Sequence, residues 1–406
     1  MALTIGQIGE WVVWTTLAVC LYAYVGYPVA VCLVSRLFGR PHRQEAVEPT
    51  VSLLIPAHNE ATVIREKIVN SLSLDYPSAR LQVRVVSDES DDGTDEIVDE
   101  YRSEGVELQR VEVRGGKPNA MNAAVPHARG DILVLCDANT MFARDAIRRL
   151  VRHFADDRVG AVTGDVRLRS EDIGYGDAEG LFYRLERFTQ RCESRLWTVI
   201  GVDGGMYAVR RELYVPNRPD TLIDDFVIAM NVARAGRRVV YDPEAVATED
   251  AVEDRAQEFR RRTRTTAGGF QTLFGGRGRP RWNQPGLWWG YLSHKALRWV
   301  GPFLLLALLA GNVAAVATGP AGGWRWNLYL GLLLLQALFY ALASVGAILD
   351  RRRLPRILCV PYYFCLTNAA ALAGFFKWLL GLQPVTWTHA DRRAATKSPV
   401  GGVEKA

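Results

Sequence analysis

The six cysteines (Cys20, Cys32, Cys136, Cys192, Cys359 and Cys365) include no C-x-x-C pair, and four of them lie in apolar runs. That spacing excludes a zinc ribbon and a disulfide frame. It fits packing thiols in a reducing compartment. There is no internal repeat, no low-complexity segment and no acidic or basic tail, so neither a solenoid nor a charged interaction arm is expected. Charge is missing altogether from Trp11 to Ser35, from Val300 to Gly323 and from Trp326 to Leu349. A fourth such run, Ile357 to Phe376, is broken by Pro361 and Asn368. Crossing the hydrocarbon takes roughly 20 apolar residues. The average composition, 49% hydrophobic and 23% charged, therefore mixes two populations. One is these runs. The other is a stretch from about 50 to 280 that reads as a soluble α/β domain.

The first run reads as a retained anchor, since its apolar part is long for a signal peptide and no Lys or Arg precedes it. Basic residues follow it (Arg36, Arg40, His42, Arg43) and separate the third run from the fourth (Arg351, Arg352, Arg353, Arg356). Positive loops stay cytoplasmic. The N-terminus and the turn Gly319 to Gly323 are then expected outside, and the soluble domain inside. The fourth run allows two outcomes for the tail carrying Arg392 and Arg393: outside if it spans, inside if it is re-entrant.

Within the soluble stretch, Val51 to Ile55, Val83 to Ser87, Leu108 to Val113 and Ile132 to Cys136 read as strands. Helical patterns from about Thr62 to Leu74, after Gly93, and from Lys117 to His127 alternate with them. Alternation of this kind predicts a mostly parallel sheet with ligands at the carboxyl ends of its strands. The polar clusters His58-Asn59-Glu60, Asp88 and Asp137-Ala138-Asn139 fall at those ends. Asp137 and Asn139 straddle one residue, a spacing that either closes a strand with an Asx turn or lets two oxygens share a divalent cation on a diphosphate. Asp88 could accept a hydrogen bond from a base N–H. Asp91 and Asp92 read as turn residues. Gly115-Gly116-Lys117 is not a Walker A loop, because Pro118 follows the lysine, but Lys117 at a helix start could reach an anion. Asp224 and Asp225 open a helix, where they either suit its dipole or include a general base. The dipole would lower the Asp225 pKa, so burial or Asp224 must offset it. Arg260, Arg261, Arg262 and Arg264 cannot share one helix face. They suit lipid headgroups, a departing diphosphate, or both. No aromatic platform accompanies them, which argues against nucleic acid.

Six pieces in order resemble the family 2 glycosyltransferases of GT-A fold, close to bacterial cellulose, hyaluronan and poly-N-acetylglucosamine synthases. They are Pro56-Ala57-His58-Asn59-Glu60, Val86-Ser87-Asp88, Gly116-Lys117-Pro118-Asn119-Ala120-Met121-Asn122, Asp137-Ala138-Asn139, Gly201-Val202-Asp203-Gly204-Gly205 and Asp224-Asp225. The resemblance implies a hexosyltransferase with a UDP-sugar donor, a glycan or lipid acceptor, and Mg²⁺ or Mn²⁺ as cofactor. It puts His58, Glu60 and Asp88 around the uridine and Lys117 near the nucleotide. Asp137 and Asn139 become the DxD pair that holds metal and diphosphate. Asp203, Gly204 and Gly205 form the turn facing the acceptor, with Asp225 as base and Asp224 beside it. Two departures matter. Asn139 ligates without adding charge, so metal affinity should fall. The processive Q-x-x-R-W becomes Phe259-Arg260-Arg261-Arg262-Thr263, which keeps an arginine at Arg262 and loses the tryptophan floor.

These readings predict a membrane helix at 8–38 and a cytoplasmic GT-A domain at 48–252. Interfacial helices follow at 253–298, a two- or three-helix membrane region at 299–381 and a tail at 382–406. The expected setting is the bacterial inner membrane, with membrane lipids and a second copy of the chain as partners. A polysaccharide acceptor is the leading expectation and a lipid acceptor the alternative. A catalytically inactive nucleotide-binding regulator is the alternative of another class.

Overall fold

Val51–Ala57 (β1) is apolar along its whole length and buried on both faces, as a strand in the middle of a covered parallel sheet must be. A computed structural model describes residues 4–169, 173–250, 254–349 and 355–386. In it β1 lies parallel between β2 (Leu81–Asp88) and β4 (Ile132–Cys136), and β3 (Val106–Val111) lies parallel outside β2. The chain leaves β1 toward β2 and β3, then returns to the other side of β1 as β4. That reversal is the crevice where open α/β sheets bind ligands. Ala57 is level with Ser87, so His58 and Asp88 emerge side by side.

The sheet continues in the order β3-β2-β1-β4-β7-β6-β8-β5. β7 (Met206–Arg210) runs antiparallel to β4, with Met206 opposite Cys136. The Gly201–Gly205 loop therefore enters at the same end as Asp137. β6 (Val159–Arg169) and β8 (Arg238–Asp250) are parallel, with irregular register at Gly160 and Gly164. The two-residue β5 (Met141–Phe142) pairs antiparallel with β8, Met141 opposite Thr248. Apolar clusters on the two sheet faces, one around Leu53, Ile55 and Val134 and one around Leu54, Met121 and Tyr207, form the core.

Four helices are long and apolar enough to cross a membrane. They are α1 (Ile5–Phe38), α6 (Gly301–Thr318), α7 (Trp324–Ile348) and α8 (Arg356–Leu379, apolar from Ile357). Four more helices accompany the sheet: α2 (Lys117–Ala124), α3 (Ile173–Leu196), α4 (Asp224–Arg234) and α5 (Arg255–Gly275). α1 packs along α6. A Cβ at Gly9 would lie 2.8 Å from the Gly311 carbonyl, and one at Gly311 would lie 2.9 Å from the Gly9 carbonyl. The two backbones touch, as small residues permit in membrane helix pairs.

α8 behaves differently from the other three and lies lengthwise against α5. At its start Arg255 covers the Tyr362 ring and donates to the carbonyls of Ala347 and Leu349 at 2.6 and 2.7 Å. At its end Trp378 stacks on Phe274, with ring centroids 5.1 Å apart. The chain then returns to the catalytic domain, where Val385 and Thr386 lie against Gly116. The segment after α8 thus packs against the α/β domain. Arg351, Arg352, Arg353, Arg392 and Arg393 lie outside the described residues.

A buried polar knot joins helices and domain. Glu193 of α3 accepts from the Tyr27 hydroxyl of α1 (2.7 Å), from His294 Nδ1 (2.7 Å) and from the Ile200 amide (3.2 Å). Glu186, two turns earlier on the same face of α3, takes His294 Nε2 (3.0 Å), Lys295 (2.8 Å) and Arg298 (2.7 Å). Burial alone would push the Glu186 carboxyl up. His294 and then Lys295 override it, holding it well below the ordinary range.

Candidate active site

Glycine makes the centre of the site possible. The Gly204 carbonyl accepts from Lys117 Nζ at 3.1 Å, and a Cβ there would stand 2.8 Å from Asp225 Oδ2. Lys117 Nζ also pairs with Asp137 Oδ1 at 2.5 Å. One ammonium, at the start of α2, thus links the end of β4 to the loop before β7, and Asp225 of α4 closes the group. Burial works against the Lys117 charge. Asp137 and then Asp224 more than restore it, raising its pKa above the usual lysine value.

Asp224 and Asp225 part company in this setting. Asp224 is buried, and its Oδ2 has no partner among the described residues. Asp225 keeps some exposure and reaches the Gly204 turn. Its carboxyl is pushed up to about 7, by burial first and then by the Asp224 charge, against Lys117 and the Phe226 amide. The helix dipole expected to lower it is outweighed. A base with a pKa near neutrality is well matched to general-base work.

His58 and Asp88 are both buried, and each is used within the protein. The Asp88 carbonyl accepts from His58 Nδ1 at 2.7 Å, which fixes the hydrogen on that nitrogen. The Asp88 carboxylate takes the amides of Gly115 (2.9 Å) and Gly116 (2.7 Å). Asp88 thus shapes the glycine loop. Glu60 is buried beside it, its amide donating to Thr94 Oγ1 at 2.8 Å. Asp91 and Asp92 are turn residues as expected: Asn59 exchanges two hydrogen bonds with Asp91, and Asp92 takes the Ala61 and Thr94 amides.

Asp203 is likewise engaged. Its carboxylate takes the Gly205 amide at 3.2 Å and Arg187 at 3.1 Å, and its own amide donates to Thr163 Oγ1 at 2.9 Å. It holds the Gly204-Gly205 turn in place. Arg262 is also engaged within the protein. It pairs with Glu258 at 2.5 Å, bonds the Tyr363 hydroxyl and lies over the Tyr363 and Phe182 rings. It faces α8 and α3. The arginine in the cleft is Arg261, which lines a small recess with Asp203, Glu249 and Tyr183 and pairs with Glu258 at 2.8 Å. A run of arginines carries no signal of which one turns inward.

Glu249 is the residue sequence reasoning missed. Asn139 Nδ2 donates to its Oε1 at 2.9 Å. Burial first and then Asp137 push its carboxyl up to about 7. Nothing near it in sequence marks it, because only the pairing of β5 with β8 brings it to Asn139. Among the described residues no three His, Cys, Asp or Glu side chains form a ready metal cage. A Mg²⁺- or Mn²⁺-type site needs only one or two protein oxygens, with phosphate and water completing it. Asp137 and Asn139 meet that requirement, and the crowding of Asp137 and Glu249 favours a cation.

Comparison with known proteins agrees with this geometry. Residues 52–215 match the glycosyl transferase family 2 model. The β-monoglucosyldiacylglycerol synthase of Synechocystis is 34% identical over 131 residues, 31% of this chain and 27% of that one. The poly-β-1,6-N-acetyl-D-glucosamine synthase of Staphylococcus epidermidis is 23% identical over 229 residues, 55% of each. The chain thus spans about half or less of the length of these curated relatives. A mannosyltransferase from Pyrobaculum calidifontis, solved with GDP-mannose and Mn²⁺, superposes with a TM-score of 0.69 over 92% of this chain and 100% of that one, at 24% identity. That likeness establishes a shared fold. Residues 52–215 are thus a glycosyl transferase family 2 domain, set in a GT-A sheet and flanked by apolar helices.

Proposed function

We propose that the chain transfers a sugar from a UDP-sugar, with inversion, to an acceptor at the cytoplasmic face of the bacterial inner membrane. The observation that carries this is the convergence of Lys117, Asp137, the Gly204 carbonyl and Asp225 from four separate elements. Asp225 removes the acceptor proton as that oxygen attacks the anomeric carbon. The new bond is C–O to the acceptor, and the bond that breaks is C–O to the diphosphate. Lys117 faces the departing negative charge, and Arg261 adds a second cation on the cleft side. Asp137 and Asn139 would hold Mg²⁺ or Mn²⁺, whose chemistry when bound is to neutralise the diphosphate. His58 and Glu60, with the loop that Asp88 shapes, form the wall for the uridine.

The helices favour a lipid or lipid-linked acceptor. α1, α6, α7 and α8 are the candidate crossing helices, and four are too few to enclose a glycan channel within one copy. The exposed Arg260 would meet anionic headgroups. The second reading is elongation of a polysaccharide held by a further copy or partner. What supports it is the stretch shared with the poly-N-acetylglucosamine synthase.

The test is turnover by purified full-length protein in lipid nanodiscs, with UDP- and GDP-sugars and with diacylglycerol, polyprenyl phosphate or oligosaccharide acceptors, with and without EDTA. We expect UDP-sugar turnover that EDTA abolishes, with lipid product. Full activity in excess EDTA rejects the cation, and GDP-sugar preference rejects the donor. Product only on oligosaccharide moves the acceptor to the second reading.

A further inference from the structure

The Asn139 amide is held from behind by a residue about a hundred positions away. Its Nδ2 donates to Glu249 Oε1 at 2.9 Å. The contact exists because Met141 pairs with Thr248, which brings the residues on either side of that pair together. An asparagine side chain has one donor end and one acceptor end. A carboxylate accepts, so the NH₂ group turns to Glu249 and Oδ1 becomes the end directed elsewhere. Divalent cations of the Mg²⁺ and Mn²⁺ class take the oxygen and not the NH₂. An unrestrained asparagine presents either end.

We propose that Glu249 is a positioning residue of the cation site. It orients the Asn139 amide oxygen-outward and supplies, one side chain further back, the negative charge an aspartate would have carried at 139. The proposal rests on reading Asp137 and Asn139 as the cation-holding pair. It also changes what a substitution should do. Judged from the sequence, Asn139→Asp adds a useful charge. Against Glu249 it sets two carboxylates in contact and removes the donor between them. The pair Asn139 and Glu249 has the same atoms and charge as an aspartate facing a glutamine, so exchanging the two functional groups should restore what either single change destroys.

The experiment measures Mn²⁺ binding to full-length protein with saturating UDP, read as loss of the free-Mn²⁺ electron paramagnetic signal. Thermal melting without metal is run beside it. Partners that orient a metal ligand typically contribute about 10- to 100-fold in affinity. Glu249→Gln and Asn139→Asp should each lose about that much, with little change in melting temperature. The double variant Asn139→Asp/Glu249→Gln should return to within about threefold of wild type, a coupling of the size found between contacting residues. Asp137→Ala should lose Mn²⁺ binding in every background. Wild-type binding by Asp137→Ala would sink the cation-site reading itself. Loss in Asp137→Ala together with wild-type affinity in Glu249→Gln, or a double variant no better than the singles, overturns the Glu249 proposal alone. A general fold defect would show in melting and would not be reversed by the second substitution.

Discussion

The catalytic domain and the membrane helices are held by different means. In the domain, buried charge is spent on orientation: Asp88 holds two glycine amides, Asp203 a third, and Glu249 an amide side chain. Among the helices, contact is by shape, with Gly9 against Gly311 and an aromatic cluster in which Phe270, Phe274 and Trp378 stack and Phe375 meets Phe270 edge-on. The two meet in the knot of Glu186, Glu193 and His294. The lesson is that a single substitution should do different things in each region. In the domain it should change chemistry with little change in stability. In the helices it should change fit and leave the site's chemistry alone. At the knot it should change both.

The largest effect should come from Asp225→Asn, which keeps shape but cannot take a proton. Transfer should fall by about 10²- to 10⁴-fold, with UDP affinity and melting temperature near wild type. Asp224→Asn should cost less transfer. Near-normal transfer by Asp225→Asn would assign the base elsewhere and remove the best case for the division. Glu186→Gln comes next. It leaves His294, Lys295 and Arg298 facing a neutral group in a buried setting. Breaking a buried ion pair costs roughly 3 to 5 kcal/mol, so we expect a large drop in melting temperature in detergent. Activity should fall with it, because Glu193 in the same knot holds the amide of Ile200 beside the Gly201–Gly205 loop. Unchanged melting would mean that the two halves are not coupled there. Gly311→Leu is smaller again. It forces α1 from α6 at about 1 to 3 kcal/mol, the usual cost of overpacking, and UDP binding should stay as it is. The mildest probe is pH. With its carboxyl at about 7, Asp225 is protonated and idle below that value and ionised above it. kcat/KM should therefore climb about tenfold per unit below 7 and level off above it. The residual activity of Asp225→Asn should lack that limb.

How much of this could be read beforehand follows the same division. β1, β2 and β4 were legible because each centres on a short apolar run ended by polar residues, while β3 showed less plainly, with Glu107, Gln109 and Arg110 among its apolar residues. The candidates Lys117, Asp137 and Asp225 drew attention because they sit beside those ends or open a helix, and the structure brings them together. β5 to β8 were not legible. β6 and β8 carry charges such as Asp165, Arg167 and Glu249 among their apolar residues, and irregular register blurs the alternation. The intramolecular partners of Asp88 and Asp203, glycine amides and Arg187, could not be read beforehand, because no motif displays them. Arg262 was chosen over Arg261 because position within a motif says nothing about which neighbour a helix face meets. The fourth apolar run was recognised as apolar, but hydropathy does not distinguish a lipid neighbour from α5.

The contact of Gly9 with Gly311 also sets a schedule. During synthesis α1 emerges first, and the entire catalytic domain is made before α6 follows. At about 5 to 20 residues per second that interval lasts on the order of tens of seconds. For all of it α1 must sit in the bilayer without the helix that will cover its glycine face, while the domain folds tethered at one end only. Closure of α6 onto α1 is then a late event that turns a domain hanging from one helix into one clamped from both ends.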